Sequence, residues 1–283
     1  MKVVVTGSIG FLGSHVMGVL RSSGYDVKGL DIRGGSNTIQ ADIMEQSQLV
    51  EAFRGVEAVC HLAAVGDVYL ATSNPPLAAA INVLGTANVM VACLKCGVKK
   101  VIYASTWEVY GEPKYQPIDE NHPCCPEHPY NITKYAGELI VLSYSKLIPV
   151  LALRLGTAYG LMMRSNSVFS IFINRARKGE PIIIKGTGEQ SRQFTHANDI
   201  GGAFALALSS EVQGEAINIV GNEQVSIKRL AELVTEILPT EIKYEEARAG
   251  DIASATVSSD KAAKVLGWMP HTDFREGLMG IIK

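Results

Sequence analysis

The stretch VTGSIGFLGSHV (residues 5–16) decides the fold class, because it joins an apolar run to a glycine-rich turn and then to a helical pattern. Gly7, Gly10 and Gly13 recur at every third position. In a strand–turn–helix unit such glycines permit a tight turn, close approach of a pyrophosphate, and packing of helix on strand. The helix N-terminus then offers N–H groups and a positive dipole end to phosphate oxygens. The spacing differs from G-x-G-x-x-G by one residue, so a plain turn fits the glycines alone equally well.

A carboxylate at the end of the second predicted strand favours a dinucleotide site. Asp31 follows Gly13 by eighteen residues. At this position a carboxylate can accept hydrogen bonds from an adenosine ribose and repel a 2′-phosphate, which favours NAD over NADP. Arg33 is near enough to weaken that preference. Asp42 and Ile43 either bracket the adenine or form the approach turn of a helix.

Apolar strands alternate with helical patterns in the first part of the chain. We predict strands at 2–6, 26–30, 57–62, 100–104 and 149–154, and helices at 11–22, about 46–54, 76–96 and 129–146. Continuously apolar strands between helices indicate a parallel sheet covered on both faces. The predicted fold is therefore α/β, a Rossmann-type doubly wound parallel sheet.

The regular alternation of predicted strands and helices ends after Tyr159-Gly160. Short strands are predicted at 182–184, 216–219 and 241–245, and helices at 167–178, 197–209 and 226–238. We expect a dinucleotide-binding domain over 1–160 and a smaller α+β substrate lobe over 161–283, with some segments of the latter returning to the main sheet. The cleft between them is the expected ligand site.

Composition restricts the possible partners and location. The 283 residues are 47% hydrophobic and 19% charged, which describes a globular chain with a substantial core. The net charge of −2 gives no bulk attraction to nucleic acid or to anionic membranes. No apolar run approaches the roughly 18–20 residues of a membrane span, and no signal peptide is evident. Five cysteines without framework spacing favour a reducing compartment, so we expect a cytoplasmic protein. Cys93-x-x-Cys96 lies in an apolar helical stretch, which favours buried thiols over a metal site.

Two further stretches carry reactive side chains. HPYNITKYAGE (128–138) places Tyr130 and Lys134 four residues apart, on one face of a predicted helix. Tyrosine is a poor base near its usual pKa of about 10, and an adjacent ammonium together with an oxidised nicotinamide favours the phenolate. ASTWEVYG (104–111) ends a strand in a cluster of hydroxyls and a carboxylate, which is either a capped edge or an active-site rim.

These motifs occur in an order that resembles a known family. The glycine turn is followed by HLAA (61–64), STWEVYG (105–111), Tyr130-x-x-x-Lys134 and LGWMP (266–270). The chain resembles the extended short-chain dehydrogenase/reductases, and more narrowly the NAD-dependent nucleotide-sugar epimerase/dehydratase family. The likeness covers essentially the whole chain. It makes the cluster at 104–111 an active-site rim.

The resemblance implies roles for individual residues. Tyr130 would be the general base at the sugar 4-hydroxyl, while Lys134 tunes it and holds the nicotinamide ribose. Thr106 would hydrogen-bond the same oxygen, and Ser105 and Tyr110 would be structural. Cofactor contacts are expected from Gly7, Gly10, Phe11, Leu12, Asp31, Asp42, Ile43, Leu62, Ala63, Ala64, Tyr130 and Lys134. Substrate contacts are expected from Thr106, Thr157, Arg192 and Arg248.

Glu108 separates the reactions that the family performs. By resemblance, sugar dehydratases carry Asp-Glu after the threonine, sugar-acid decarboxylases keep only the Glu, and plain 4-epimerases often lack both. Here Trp107 stands where the Asp would be, and an indole cannot act as that acid. We therefore expect an NAD-dependent nucleotide-sugar 4-epimerase of UDP-hexose type. The alternatives are a dehydratase or decarboxylase that uses Glu108, or a non-catalytic dinucleotide-binding regulator.

Several positions depart from the family's pattern. In RLGTAYGL (154–161), Thr157 replaces an Asn and Leu161 replaces a Pro, and Gln193 replaces the Asp that usually follows the arginine. These departures bear on the sugar and the base more than on the chemistry. The resemblance also implies a homodimer with an interface of four helices, two from each copy (76–96 and 129–146). Residues 78–94 are apolar all round, as such an interface requires.

Overall fold

The computed structural model describes residues 1–246 and 254–283, and its main feature is a seven-stranded sheet flanked by helices. The strands are β1 (Lys2–Thr6), β2 (Asp26–Asp31), β3 (Thr38–Gln40), β4 (Ala58–His61), β5 (Lys100–Thr106), β6 (Val150–Leu155), β7 (Thr157–Tyr159), β8 (Ile182–Lys185), β9 (Ser191–His196), β10 (Glu215–Ile219), β11 (Gln224–Ser226) and β12 (Ile242–Glu245). The helices are α1 (Phe11–Ser22), α2 (Gln46–Ala52), α3 (Val68–Ser73), α4 (Pro75–Ala79), α5 (Thr86–Cys96), α6 (Pro129–Ser143), α7 (Val168–Arg177), α8 (Ala197–Ser209), α9 (Ile227–Ile237), α10 (Asp260–Leu266) and α11 (Phe274–Ile282). A π-helical turn (Ala80–Gly85) joins α4 to α5, and a 3-10 turn (Trp107–Tyr110) follows β5.

The main sheet is parallel throughout and runs in the order β10-β6-β5-β4-β1-β2-β3. The chain moves outward from β1 to β2 and β3, then crosses back to β4 on the other side of β1. This reversal opens a crevice beyond the carboxyl ends of the strands, where doubly wound folds bind ligands. The predicted Rossmann-type fold class is confirmed.

An apolar layer covers each face of the sheet, so its strands are buried on both sides. In β1, Val3 and Val5 face a layer that includes α1 and α8, whereas Val4 faces a layer that includes α2 and α5. The helix predicted at 197–209 is α8, which packs on α1 against the main sheet. The strand predicted near 216–219 is β10, which pairs with β6 at the edge of the same sheet.

The remaining strands form a smaller layer beside the main sheet. β7, β9 and β11 make a three-stranded sheet, and β8 pairs with β12. Their core is aromatic: the Tyr159 and Phe169 rings are stacked with centroids 5.2 Å apart, and Phe194 meets Phe169 edge-on at 4.8 Å. The sequence analysis did not predict β7, β9 or β11, which are short and mix polar with apolar residues.

One helical run corrects an expectation drawn from the sequence. Residues Pro75–Cys96 form 22 residues of continuous helix containing an 18-residue window with a mean hydropathy of 1.9, long and apolar enough to cross a membrane. The statement that no apolar run approaches that length is therefore wrong. The run is weak evidence for a membrane, because the core helix of a soluble protein meets the same criteria. It packs against α2 and α6 in this fold.

Gln193 holds β9 to two other segments. Its Nε2 donates to the carbonyls of Gly221 (2.8 Å) and Val257 (3.1 Å), and its Oε1 accepts from the Val257 N–H (2.6 Å). An amide can donate and accept at once, whereas a carboxylate only accepts. The side chain that replaces the family's Asp is therefore part of the fold.

We expect Gln193→Glu to lower the free energy of unfolding by about 1–3 kcal/mol, because two buried carbonyls lose their donor and face a carboxylate. Urea unfolding at neutral pH measures the loss, and acidification should recover part of it by restoring a donor. The control is Gln213→Glu, which changes an exposed glutamine in the same way. Equal stability of the two variants would contradict the role given to Gln193.

Candidate active site

A cavity of about 780 Å³ occupies the crevice at the carboxyl ends of the central strands. All residues predicted to contact the cofactor line it, namely Gly7, Gly10, Phe11, Leu12, Asp31, Asp42, Ile43, Leu62, Ala63, Ala64, Tyr130 and Lys134. Thr106, Glu108 and Thr157 line it as well. The structure thus gathers the predicted cofactor residues, the predicted catalytic residues, and Thr157 of the predicted substrate residues around one space.

The glycine turn fits a diphosphate because it leaves no room for side chains. Gly7 has φ 69°, and a Cβ there would lie 2.8 Å from the Cα of Ala63. A Cβ on Gly13 would lie 2.0 Å from the Gly7 carbonyl oxygen. Gly10 precedes α1 and provides no capping side chain, so the N–H groups of the first turn are left for a ligand.

Asp31 lies beside the glycine turn at the end of β2 and is 8% exposed. Its Oδ2 accepts from the Ile9 N–H (3.1 Å), and its Oδ1 accepts from the N–H (3.1 Å) and Nε (3.3 Å) of Arg33. Carboxylate oxygens can accept more than one hydrogen bond, so both can still receive ribose hydroxyls. The Arg33 guanidinium is engaged by Asp31 itself, which reduces its availability to a 2′-phosphate.

Two short segments complete the wall on this side. Asp42 Oδ1 accepts from the Met44 N–H (2.9 Å), so Asp42 forms the approach turn of α2 and also lines the cavity. The N–H groups of Leu62 and Ala63 both donate to the hydroxyl of Thr6 (3.1 Å each). These two hydrogen bonds bend the chain at the end of β4. They bring residues 62–63 against the glycine turn.

The predicted catalytic side chains meet where β5 ends against α6. The Thr106 hydroxyl lies near enough to the Tyr130 phenol to lower its pKa, and it accepts from the Glu108 N–H (3.3 Å). The Lys134 Nζ lies 4.2 Å from the centre of the Tyr103 ring. Hydroxyl, phenol, ammonium and carboxylate therefore share one water-poor site.

Burial sets the acid–base state of this cluster. It raises the pKa of Tyr130, and the charge of Glu108 raises it further, while the Thr106 hydrogen bond and the charge of Arg164 lower it. Burial lowers the pKa of Lys134 to about 7, against the opposing effect of Glu138. The sequence analysis expected the ammonium to lower the phenol's pKa, but burial dominates. Added positive charge would therefore be needed to form the phenolate.

Glu108 lies near two arginines and a histidine, and burial lowers the pKa of that histidine. Burial raises its pKa, while the charges of Arg192 and Arg164 lower it. The His128 Nε2 lies 3.5 Å from the Glu108 Oε2. Arg192 lies on β9 and outside the wall of the cavity. Arg248, the other arginine predicted to contact substrate, lies outside the described residues.

Arg164 and Asp67 are two cavity residues that were not predicted from the sequence. Both line the cavity, and the Nη1 of Arg164 lies 2.7 Å from the Oδ2 of Asp67. Arg164 follows β7 in an irregular loop, where no periodicity or motif could have identified it. Within residues 1–246 and 254–283, no three His, Cys, Asp or Glu side chains come together as metal ligands would.

Comparison with known proteins gives the family. The sequence profile of the NAD dependent epimerase/dehydratase family matches residues 3–220. The chain belongs to this family. The geometry agrees, since the cavity offers a glycine turn for the diphosphate and a carboxylate for the ribose of the family's cofactor, NAD.

Three relatives cover the chain almost completely. A putative UDP-glucose 4-epimerase of Methanocaldococcus jannaschii is 34% identical over 99% of this chain and 97% of its own. MoeE5, solved with UDP-glucuronic acid and NAD, is 34% identical with a TM-score of 0.91, over 100% of this chain and 98% of its own. The dTDP-D-glucose 4,6-dehydratase of Mus musculus is 32% identical over 98% of this chain and 86% of its own. The family therefore includes both reactions considered above.

We expect Asp31→Asn to weaken NAD binding by about 10- to 100-fold, since a hydrogen bond to a charged group contributes about 1.5–3 kcal/mol. Removing the carboxylate should also improve NADP binding. Calorimetric titration with both cofactors measures the ratio of the two affinities. Asp42→Asn is the matched control and should leave that ratio unchanged, because the Asp42 carboxylate serves a turn. An unaltered ratio in Asp31→Asn would refute its role.

Proposed function

We propose that this protein is an NAD-dependent UDP-sugar 4-epimerase. The observation that carries the proposal is the grouping of Thr106, Tyr130 and buried Lys134 in one cavity, where Trp107 replaces the acid that a dehydratase needs. A non-catalytic regulator would not need this arrangement. A UDP-sugar is supported by the M. jannaschii relative, a putative UDP-glucose 4-epimerase, and by the UDP-sugar complexes of MoeE5.

The reaction requires one proton and one hydride to leave the sugar and return. The glycine turn and Asp31 would hold NAD, which would supply a reversible hydride acceptor at C4, so that the hydride could return to the opposite face of the ring. Tyr130 removes the proton of the 4-hydroxyl and returns it to the 4-keto oxygen. Thr106 donates to the same oxygen, and Lys134 provides positive charge that stabilises the phenolate. Atoms and charge balance over the cycle, so the product is the C4 epimer.

Glu108 is not needed for this chemistry, because epimerisation at C4 breaks no bond at C5 or C6. A dehydratase would use it as the base at C5, but would also need an acid for the departing hydroxide. The Trp107 indole has only an N–H donor with no accessible acidity. Glu108 instead contributes charge, which raises the pKa of Tyr130.

A second candidate substrate is a UDP-hexuronic acid. MoeE5 was solved with UDP-glucuronic acid as well as with UDP-glucose. In this chain the Arg164 guanidinium lines the cavity close enough to Tyr130 and Glu108 to lower the pKa of both. The Nη1 of Arg164 is paired with Asp67, and the remaining N–H groups of the guanidinium suit a carboxylate at C6.

The proposal predicts that Tyr130→Phe lowers kcat by about 10²–10⁴-fold, the usual contribution of general acid–base catalysis. Glu108→Gln should lower it much less. NMR of products from UDP-, GDP- and dTDP-sugars identifies the reaction. An equally severe loss in Glu108→Gln, with NADH and a 4-keto sugar accumulating, would indicate a dehydratase or decarboxylase.

Arg164→Gln distinguishes the two substrate classes. If a uronic acid is the substrate, kcat/KM for UDP-glucuronic acid should fall about 10- to 100-fold more than for UDP-glucose. A loss common to both substrates reports the effect of Arg164 on Tyr130. The control is Arg229→Gln, which removes a surface guanidinium on α9. An equal loss of kcat/KM for both substrates would indicate that the enzyme's substrate is a UDP-hexose and not a UDP-hexuronic acid.

We also propose that the protein forms a homodimer in the cytoplasm. Exposed apolar side chains lie on the adjoining π-helical turn and α6, namely Leu84 (52% exposed), Ile132 (46%) and Leu139 (51%). Solvent contact with such a patch is unfavourable, so a second copy covering it would be stabilised. All five cysteines are free thiols, which suits a reducing compartment.

Light scattering at micromolar concentration should give twice the chain mass of 30.4 kDa. Leu139→Asp should yield monomers, because it places a charge in the proposed interface. Leu147→Asp changes another exposed leucine, beyond the end of α6, and should remain dimeric. A monomeric parent protein would exclude the dimer.

A further inference from the structure

A buried ion pair lies directly behind the active site. The Arg154 Nη2 donates to the Glu138 Oε1 (2.6 Å), and the Arg154 Nε donates to the Oε2 (3.1 Å). The Ser105 hydroxyl donates to the same Oε2 (2.5 Å). Glu138 is 0% exposed and Arg154 is 6% exposed. A single carboxylate thus joins α6 to the ends of β5 and β6.

The network continues to the 3-10 turn after β5. The Arg154 Nη1 donates to the Tyr110 hydroxyl (2.8 Å), which donates to the Asn218 Oδ1 (2.8 Å) on β10. Ser105 and Tyr110 immediately flank the segment that carries Thr106 and Glu108. Fixing the two flanking residues fixes the active-site side chains between them.

Glu138 also shares a helix face with the acid–base pair. Tyr130, Lys134 and Glu138 follow one another at intervals of four along α6. The carboxylate is thus the next side chain after the ammonium on that face. Inside the protein such a charge is screened far less than it would be in water.

We propose that Glu138 is a positioning residue of the active site, which ties the segment carrying Thr106 and Glu108 to α6 and supplies the negative charge that Lys134 faces. The proposal rests on the proposed function, because it concerns the group that activates Tyr130. The Glu138–Arg154 ion pair then serves activity as well as the stability of the fold.

Stability alone does not explain this pair. Transferring two charges from water into a protein interior has a large desolvation cost, and well-packed apolar residues often replace such pairs without loss of stability. An apolar pair would leave Lys134 with no negative partner. The charge therefore has a use that packing cannot supply.

The groups around Lys134 make Glu138 the counter-charge. Tyr103 on β5 presents its ring to the ammonium, and Tyr130 is a neutral phenol when protonated. Burial and the charge of Lys134 lower the pKa of His61 on β4 to about 3, so this ring is neutral. Glu138 is the acidic group that raises the pKa of Lys134 against burial, whereas the charge of Glu108 acts on Tyr130.

The sign of the pH dependence follows from the role of the ammonium. Lys134 must be charged to stabilise the phenolate, so activity is lost as pH rises through its pKa. The pKa of Lys134 is about 7 with Glu138 present. Removing that negative charge moves the pKa down, so the alkaline loss of activity should begin at lower pH.

The test measures Lys134 directly in the protein with NAD bound. Carbon NMR of protein labelled with [ε-¹³C]lysine, assigned with Lys134→Met, gives the titration of Lys134. In Glu138→Gln the midpoint should move down by about one pH unit or more. The alkaline limb of kcat/KM should move in parallel.

Three variants separate charge from structure. Glu138→Asp keeps the charge and should keep the parent midpoint even where the rate falls. Ser105→Ala removes one hydrogen bond but no charge. This variant should also keep the parent's Lys134 midpoint. Glu138→Gln with Arg154→Met removes both charges, so it avoids an unpaired buried guanidinium and should still show the lowered midpoint.

An unchanged Lys134 midpoint in both Glu138→Gln and the double variant with Arg154→Met would overturn the proposal, as would equal shifts in Glu138→Asp and Glu138→Gln. The NMR titration needs no turnover. If the parent protein epimerises no nucleotide sugar, the proposed function fails while the titration still decides the role of Glu138.

Discussion

The parallel alignment of seven buried strands determines where every functional group lies. Because β1, β4 and β5 run in the same direction, their carboxyl ends emerge at one edge of the sheet. The glycine turn, the bend after His61 and the cluster that begins at Thr106 therefore face one crevice. Residues far apart in sequence become neighbours through strand direction alone, and the order reversal beside β1 opens the space between them.

The same burial that stabilises the sheet opposes charge in the site. Tyr130, Lys134 and Glu108 all have pKa values moved by burial toward their uncharged forms. Each side chain needs a neighbour of opposite charge to stabilise its ionised form. Positive charge close to Tyr130 and negative charge close to Lys134 are thus requirements of the chemistry, and α6 places the two side chains one turn apart to receive them.

Strong periodicity and glycine placement made the main domain predictable from the sequence. The predicted helices 11–22 and 197–209 agree with α1 and α8, and all the predicted cofactor residues line one cavity. Short strands such as β7 and β11 carry too few residues for a pattern. Arg164 lies in an irregular loop, and only tertiary contacts bring it to the cavity. The raised pKa of Tyr130 was missed because burial cannot be read from a four-residue spacing.

Three departures from the family's pattern fall on one part of the molecule, whereas Trp107 follows Thr106 at the end of β5. Thr157 begins β7, Gln193 lies on β9 and Leu161 follows in the next loop, all in or beside the small sheet built on the aromatic core. The acid–base side chains lie on β5 and α6, anchored by the buried Glu138–Arg154 pair of the main domain. Substitutions at the small sheet can therefore reshape the substrate end of the cavity without moving Thr106, Tyr130 or Lys134. Of these three residues Thr157 lines the cavity, so a change there can alter its substrate end while the Glu138–Arg154 pair keeps the acid–base side chains in place.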